Sequence, residues 1–341
     1  MRALTLLPSL LLTLSTSGQA LAWGAEGHEY TGAIADQLLN SHAQREVQSI
    51  LGFTLQIAAT WPDCVRSVRR MGPDRFVFTE DPKHPEYTAS CTTFETPEER
   101  ARMEDYAKRN WDNCSYYPGH GCHESYHFAD VAEQHGQYDR RYVGTSDHDV
   151  VSAINAAVTV LQGNTAPTPF SIKDAKEALL LLAHFVGDLH QPLHVGAVYL
   201  TQDGSEIDPD VAGAPDAAMT ATHGGNSIID GRTNLHSEWD AIPENLGLPP
   251  TESALEAARQ VPMTQSTPGN IAKIWASDTV VEAHDAFVGV SFKGVGDHPP
   301  YHWVVDFDNR PDYFKRKQAL QERQLIKSGA HLAELLNAIW R

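Results

Sequence analysis

The sequence LLLLAHFVGDLHQPLH occupies residues 179–194 and is apolar on nearly every face of a helix. A helix of that kind is typical of a protein core. It nevertheless carries His184 and Asp188, which are spaced to lie one turn apart on the same side. A buried carboxylate without a partner is costly, so a neighbour must neutralise Asp188. The two candidates are a hydrogen bond from His184 and a metal ion that both side chains share.

The same H-x-x-x-D spacing recurs in NLHSEWD, where His236 and Asp240 are again one turn apart. His194 stands just beyond Pro192, the residue that should end the first helix. Two independent pairs of this kind favour two convergent metal sites over two accidental core pairs. Sites made of imidazole and carboxylate without thiolate suit zinc.

Two shorter motifs add candidates that would be weak alone. TWPD at residues 60–63 places Asp63 beside a proline turn, and YHFAD at residues 126–130 places His127 and Asp130 three apart. They support the metal-site interpretation because they add His and Asp, the same residue types that the two longer motifs supply.

The first 22 residues have the pattern of a secretory signal peptide: a charged start, an apolar run over residues 4–14 and an A-x-A site ending at Ala22. Cleavage there predicts a secreted or periplasmic protein that begins at Trp23. The free α-amino group, with a pKa of about 7.7 to 8.0, can chelate a metal together with its own carbonyl. A disordered chain end is the alternative.

Length and composition indicate a globular protein. The chain has 341 residues, of which 41% are hydrophobic, with 26 Lys+Arg against 44 Asp+Glu and a net charge of -18. That charge argues against a partner held by many phosphate contacts, and taken alone it excludes nucleic acid. The 17 histidines point instead to metal binding or proton transfer. No stretch outside the signal peptide is long and apolar enough to anchor the chain in a membrane.

Four cysteines in an exported chain predict disulfide bonds. Four residues allow three pairings. We favour Cys114 with Cys122, which closes a tight loop, and Cys64 with Cys91. A zinc site made of these cysteines is disfavoured because the chain has no C-x-x-C pair.

Helical periodicity dominates, so we predict a single all-α domain with long loops and one short β-hairpin, although the length would allow two domains. Apolar stripes predict helices around residues 34–39 and 47–51, the second ended by Gly52, and around 149–162. A capping box at Ser171–Asp174 should open a helix to about Leu189, and the last helix should run from about Asp312 to Ile339. The expected loops are residues 72–98, 112–123, 200–225, 243–250 and 293–300, and the expected hairpin is at residues 226–231.

These motifs, in their order, carry a family resemblance. The chain resembles the zinc-dependent type I nucleases, the S1/P1 family of single-strand-specific nucleases and 3'-nucleotidases. That family shares its all-helical fold with zinc-dependent phospholipase C. The resemblance runs from Trp23 to Asn337 and rests on WGAEGH (23–28), WPD (61–63), YHFAD (126–130), HFVGDLHQPLH (184–194), GGN (224–226) and NLHSEWD (234–240).

The resemblance implies three zinc ions per chain. One zinc would be held by Asp63, His127, His184 and Asp188. A close neighbour would be held by the amino and carbonyl groups of Trp23, by His28 and by Asp188 as a bridge. The third would be held by His194, His236 and Asp240.

It also implies roles for four further residues. Asp130 matches the catalytic acidic position near the zinc pair, and Arg66 matches a basic phosphate contact. Phe128 matches an aromatic residue that stacks on the base, and Asn226 matches a contact to the base edge. His190 is spaced to be a further ligand, but we expect it to be structural.

The implied activity is that of a secreted, monomeric endonuclease. It would cleave single-stranded DNA and RNA to 5'-phosphate products through a zinc-activated hydroxide that attacks in line, and it would also act as a 3'-nucleotidase. One departure from the family is the long span between Asp63 and His127. We expect residues 67–125 to form an inserted lobe within a nuclease domain at 23–341, and no substrate contact is carried over to that lobe.

Two other functions fit parts of the sequence. A zinc phospholipase C would use the same scaffold, but Phe128, Asn226 and an Asp rather than a Glu at position 240 favour the nuclease. A non-catalytic exported zinc-binding protein would need the ligands without Asp130, Arg66 or an aromatic platform.

Overall fold

A computed structural model of the protein describes residues 23–80, 88–115, 119–296 and 302–341. The predicted signal peptide lies outside the described residues. The α-helices are α1 Ala25–Leu38, α2 Ser41–Leu51, α3 Leu55–Ala58, α4 Trp61–Val65, α5 Pro97–Arg109, α6 Val150–Leu161, α7 Ala175–His190, α8 Pro192–Val195, α9 Ala217–Thr220, α10 Leu235–Asp240, α11 Glu252–Arg259, α12 Pro268–Phe287 and α13 Arg310–Ile339.

Short strands and 3-10 turns connect these helices. The strands are β1 Val68–Gly72, β2 Arg75–Phe78, β3 Val131–Ala132, β4 Gly196–Ala197, β5 Tyr199–Leu200, β6 Glu206–Ile207, β7 Ile228–Asp230, β8 Thr233–Asn234, β9 Val290–Val295 and β10 His302–Phe307. The 3-10 helices span Ala89–Phe94 and Cys122–His127. The mainly helical fold is therefore confirmed.

Helix α7 lies at the centre of the bundle, as its apolar sequence predicts. It packs against α6, α13, α1 and α3, and every residue from Glu177 to His190 is buried. The predicted capping box was wrong in detail. Asp174 is itself the N-cap, with its side chain accepting a hydrogen bond from the Glu177 amide, and Ser171 stays in the preceding loop.

The other predicted helices are confirmed; α6 and α13 lie close to their predicted bounds, whereas α1 and α2 begin at Ala25 and Ser41, well before the apolar stripes that predicted them. Asp149 caps α6, Asn309 caps α13, and Gly52 ends α2 with a φ of 76°, which explains why glycine stands there. The longer helices α5, α11 and α12 were not predicted, and neither were the short helices α3, α4, α8 and α9.

The expected loops contain more strand than predicted. Strand β2 lies in the 72–98 region and pairs with β1 just before it, β5 pairs with β6 around residue 204, and β9 pairs with β10. Residues 217–220 are also helical. The predicted hairpin is confirmed as β7 and β8, but β7 also pairs in parallel with β10 from the distant end of the chain. Pairing between strands so far apart in the sequence produces no local sequence pattern that could predict it.

Both favoured disulfides are confirmed. Cys64 is bonded to Cys91, and Cys114 is bonded to Cys122. The first bond ties α4 to the 3-10 helix at Ala89–Phe94, and helix α5 packs on α4 and β2. The described part of residues 67–125, the segment predicted to be an insertion, is thus fastened beside α4. Within the described ranges, none of the helices combines the length and the hydropathy needed to cross a bilayer.

Helix α1 approaches α3 so closely that only glycine fits at position 32. A Cβ atom added to Gly32 would lie 2.4 Å from the Leu55 carbonyl oxygen. We predict that Gly32→Ala lowers the free energy of unfolding by about 1–3 kcal/mol, because one of the two backbones must shift. Denaturant titration measures this loss. The control is Gly269→Ala in α12, where the added methyl group meets open space. Equal midpoints for the two variants would contradict the packing argument.

Candidate metal centre

The first cluster forms where α4, α7 and the Cys122–His127 turn meet. The Asp188 carboxylate lies 3.0 Å from His127 Nδ1 and 3.1 Å from His184 Nε2. Asp63 Oδ1 is 3.9 Å from the same His184 nitrogen. All four side chains are buried. Two of the groups that can hold a metal ion overlap here and share His184: Asp63, His127 and His184 form one, and His28, His184 and Asp188 form the other.

His28 enters this cluster from helix α1. Its ring stacks on the His184 ring at 3.7 Å between centroids, and its Nε2 lies 3.4 Å from Asp188 Oδ1. A Cβ atom at Gly187 would come within 3.0 Å of the His28 ring. The glycine in HFVGD therefore leaves room for this imidazole.

Trp23 is fully buried beside the cluster rather than a frayed end. Its indole nitrogen donates a hydrogen bond of 2.9 Å to the Gly187 carbonyl. The amide of the next residue, Gly24, donates one of 3.0 Å to the Asp240 carbonyl. The first two residues of the proposed mature chain are thus held beside two predicted ligands: Trp23 contacts Gly187, which precedes Asp188, and Gly24 contacts Asp240.

The second cluster contains His194, His236 and Asp240. The Nε2 atoms of the two imidazoles are 3.1 Å apart, and Asp240 Oδ2 lies 3.5 Å from His236 Nε2. Asp240 Oδ1 accepts a hydrogen bond of 2.7 Å from Gln191. The second cluster is linked to the first, because His194 Nδ1 also lies 3.6 Å from Asp188 Oδ1.

The hydrogen bonds of the two Nδ1 atoms in the second cluster determine the protonation state of the Nε2 atoms. His194 Nδ1 faces the His127 carbonyl at 2.9 Å, and His236 Nδ1 faces the Gly224 carbonyl at 2.7 Å. A carbonyl only accepts, so both Nδ1 atoms carry the proton. The neutral rings then turn two Nε2 lone pairs toward each other at 3.1 Å. That contact is repulsive unless a cation lies between them, which is the usual arrangement of metal-bound histidines.

Buried polar atoms without a hydrogen-bond partner concentrate among the predicted ligands. A buried atom of this kind is costly, and native proteins contain few. The set that belongs to predicted ligands comprises both ring nitrogens of His28, Asp63 Oδ1, Asp188 Oδ1 and Asp240 Oδ2. Metal coordination satisfies all three carboxylate oxygens and one nitrogen of His28, so the residues present fit metal ions.

Burial disfavours the charged forms of the predicted ligands, which suits metal binding by the imidazoles but opposes ionisation of the carboxylates. It lowers the pKa of His28, His127 and His194 well below the usual histidine range and that of His236 to about 4. These four rings are therefore neutral at pH 7. Burial also raises the pKa of Asp188 to about 6, because the charged form lacks sufficient compensation in the protein alone. A bound cation supplies that compensation.

Asp130 is buried and lies three residues beyond His127. Its backbone is held on both sides: its amide donates to the Gly144 carbonyl at 3.0 Å, and its carbonyl accepts from the Tyr199 hydroxyl at 2.7 Å. Burial raises the pKa of its carboxyl to about 7. A group with that pKa exchanges protons near neutral pH, as a general acid or base must.

Arg66 and Phe128 flank the first cluster. Arg66 directly follows α4, and its Nη1 lies 3.5 Å from Asp63 Oδ1. Phe128 is half-buried and extended, between His127 and Ala129, whose amide donates to the His194 carbonyl at 2.7 Å. The position of Phe128 is thereby fixed by its neighbour His127 in the first cluster and by the backbone hydrogen bond of Ala129 to His194 in the second.

Asn226 is exposed in the turn that supports His236. Its amide nitrogen donates to the His223 carbonyl at 2.8 Å. Gly224 in the same turn has a φ of 57°, and a Cβ there would lie 2.2 Å from the Leu193 carbonyl oxygen. This close approach brings the Gly224 carbonyl to the His236 ring.

Sequence reasoning assigned no role to Gln191, although it stands within the quoted HQPLH. Its hydrogen bond to Asp240 orients a predicted ligand. The expected structural role of His190 agrees with its contacts, which are to the Val186 carbonyl at 2.7 Å and to His331 at 2.8 Å. Neither contact faces the clusters.

Comparison with known proteins decides the family. The S1/P1 nuclease family model matches residues 23–341. The chain belongs to the S1/P1 nuclease family. It is thus a member of a family of nucleases, which are phosphodiesterases, and its buried His and Asp clusters are candidate metal sites of that family member.

Curated relatives agree with this assignment. Endonuclease 4 of Arabidopsis thaliana is 24% identical over 97% of this chain and 93% of its own length. Nuclease S1 of Aspergillus oryzae is 25% identical over 98% of this chain and 97% of its own. Endonuclease 1 of Arabidopsis thaliana is 26% identical over 67% of this chain, a match that spans only 56% of that relative.

The shared position of Asp188 predicts unequal losses of metal. Asp188→Asn should remove more than one zinc per chain, because its two oxygens face both parts of the first cluster. Asp240→Asn, the matched variant in the second cluster, should remove only one. Elemental analysis of the purified proteins measures both, with circular dichroism to confirm folding. Equal zinc contents in wild type and Asp188→Asn would contradict the assignment.

Proposed function

We propose that this nuclease is an exported, zinc-dependent enzyme that cleaves single-stranded DNA and RNA to 5'-phosphate products and also removes 3'-phosphates from nucleotides. The observation that carries the proposal is the pair of linked clusters, in which one buried oxygen of each of three carboxylates has no hydrogen-bond partner and two imidazole Nε2 atoms face each other at 3.1 Å. The proposed ligands are the nine residues predicted from the sequence, Trp23 included.

Bound zinc supplies Lewis-acid stabilisation of phosphate oxygens and lowers the pKa of water. The chain must supply proton transfer, positioning and additional charge. Asp130 is proposed to take the proton from the attacking water, since its raised pKa matches that task. Arg66 is proposed to stabilise the extra negative charge on phosphorus, as a guanidinium beside the first cluster can.

The preference for single strands is proposed to arise from Phe128. Stacking on an aromatic ring requires an unpaired base, and a duplex must pay a few kcal/mol to expose one. Asn226 is proposed to contact the edge of the same base. A terminal 3'-phosphate presents the same bond next to the same base, so one site can serve both activities.

Export is proposed from the signal-peptide pattern and is supported by the two disulfides, which form in oxidising compartments. Signal cleavage before Trp23 would free the α-amino group that the proposed site uses. A phospholipase activity on the same scaffold remains the second candidate from the sequence, but the family match favours the nuclease.

Chelation tests the proposed metal dependence. EDTA should abolish cleavage of single-stranded DNA, and zinc should restore it, because the proposed chemistry depends on the metal ions. The assay should include duplex DNA, a 3'-mononucleotide and a choline phospholipid. We expect activity on the single strand and the 3'-mononucleotide, and little on the other two. Full activity after complete removal of zinc would contradict the proposal.

Asp130→Asn separates catalysis from stability. We expect kcat to fall by about 10²–10⁴-fold through loss of the proton-transfer group. In the metal-free protein the variant should be the more stable one at alkaline pH. The folded pKa of Asp130 is raised, so its charged form destabilises the fold, and wild-type stability falls as the pH rises from the unfolded pKa through about 7.

Kinetics and urea titration at several pH values measure both effects, and Asp147→Asn on the exposed part of the same loop region is the control. Unchanged kcat in the Asp130 variant would contradict its assigned role.

A further inference from the structure

The β1–β2 hairpin has one apolar face and one exposed face. Val68, Phe76 and Phe78 are buried, whereas Arg69 and Arg75 are exposed. The pairing of Arg69 with Val77 across the hairpin places these two side chains on one face. The outer face of this hairpin, which comprises Arg69, Met71, Arg75 and Val77, is called the basic face below.

Positive charge is concentrated here in an otherwise acidic chain. Residues 66–75 hold four of the 26 Lys+Arg and one of the 44 Asp+Glu, which leaves 22 against 43 elsewhere. That single acid, Asp74, lies 3.1 Å from Lys108, which offsets its charge. The hairpin is therefore positively charged, whereas the rest of the chain has a net negative charge that repels polyanions.

The basic face continues directly from the metal centre. Arg66 contacts Asp63 of the first cluster, and the Arg69 guanidinium donates a hydrogen bond of 2.5 Å to the Arg66 carbonyl. The exposed arginines of the basic face therefore lie next to Arg66, the residue that is proposed to contact the phosphate at the reaction site.

Arg70 has a different, structural role. Its guanidinium is held by Asp112 at 2.9 Å and lies over the Phe76 ring at 5.7 Å. The contact with Asp112 fastens the hairpin to the rest of the protein, and the contact with Phe76 joins its two strands. A fixed hairpin holds its outer arginines in place, which lowers the entropy lost when a strand binds.

Apolar side chains stand among the exposed arginines. Met71 is 61% exposed at a point where the strand register shifts, and Val77 is half-buried beside it. A surface of guanidinium groups around apolar side chains matches an unpaired strand, whose phosphates bind arginine and whose bases and sugars offer apolar contacts.

We propose that the basic face binds the backbone of the single strand beside the nucleotide being cleaved. This assigns the inserted segment a role in holding substrates longer than a dinucleotide. The inference rests on the proposed single-strand nuclease function and adds a second contact region to it.

The test uses the full mature enzyme with its metal ions and the double variant Arg69→Ser/Arg75→Ser. For a long single-stranded oligonucleotide, KM should rise and the slope of log(kcat/KM) against log salt should weaken by about 1.4, because each phosphate contact on a single strand contributes about 0.7. For a 3'-mononucleotide, kcat and KM should be unchanged, since that substrate cannot reach the hairpin.

The matched control is Arg45→Ser/Arg259→Ser, which removes the same charge from exposed positions on α2 and α11. It should leave the salt slope near the wild-type value. Unaltered turnover of the 3'-mononucleotide shows that a variant is folded. If the serine variant loses that activity as well, Arg75→Glu alone is used, and it should raise KM for the long strand only.

Two failures can be told apart. A wild-type enzyme that cleaves neither nucleic acid nor 3'-nucleotides would refute the proposed function. The other failure concerns the basic face alone. The wild-type enzyme would cleave both substrates, but the double variant would show the same KM and salt slope for the long strand as the control; that result would overturn the role of the basic face and leave the proposed function intact.

Discussion

The buried carboxylate of Asp188 is the constraint on which the rest of the structure depends. It lies in the middle of the most apolar helix, where an isolated charge is not tolerated. Helix α1 brings His28 to it, and the Cys122–His127 turn brings His127. Glycine stands at position 187 because the His28 ring packs against it, and at position 32 because α1 approaches the backbone of α3. The bundle is thus packed around a site that its own side chains satisfy incompletely.

This arrangement also reconciles an acidic protein with an anionic substrate. The chain carries a net charge of -18, which led us to exclude nucleic acid on charge alone. That exclusion was wrong, because the chain is a member of a nuclease family. Three proposed zinc ions add six positive charges at a place where the nine ligand residues contribute three carboxylates. With those ions bound, the centre would attract phosphate even though most of the surface repels it.

The sequence predicted the features that local pattern controls. Helices α6, α7 and α13 followed from apolar periodicity, and the two H-x-x-x-D pairs followed from helical spacing. The β7–β10 pairing joins residues 228 and 303, so no local signal could have revealed it. The support of Asp240 by Gln191 depends on a side-chain contact between separate helices, which is equally invisible in a single sequence.

The central claim is that Asp188 and the second cluster hold metal ions rather than a network of hydrogen bonds. Anomalous diffraction at the zinc edge, from crystals of the mature enzyme, tests it most directly. We predict three peaks, with two close together on either side of the Asp188 carboxylate and one between His194 and His236. Full-occupancy density without any anomalous peak at these side chains would contradict the account.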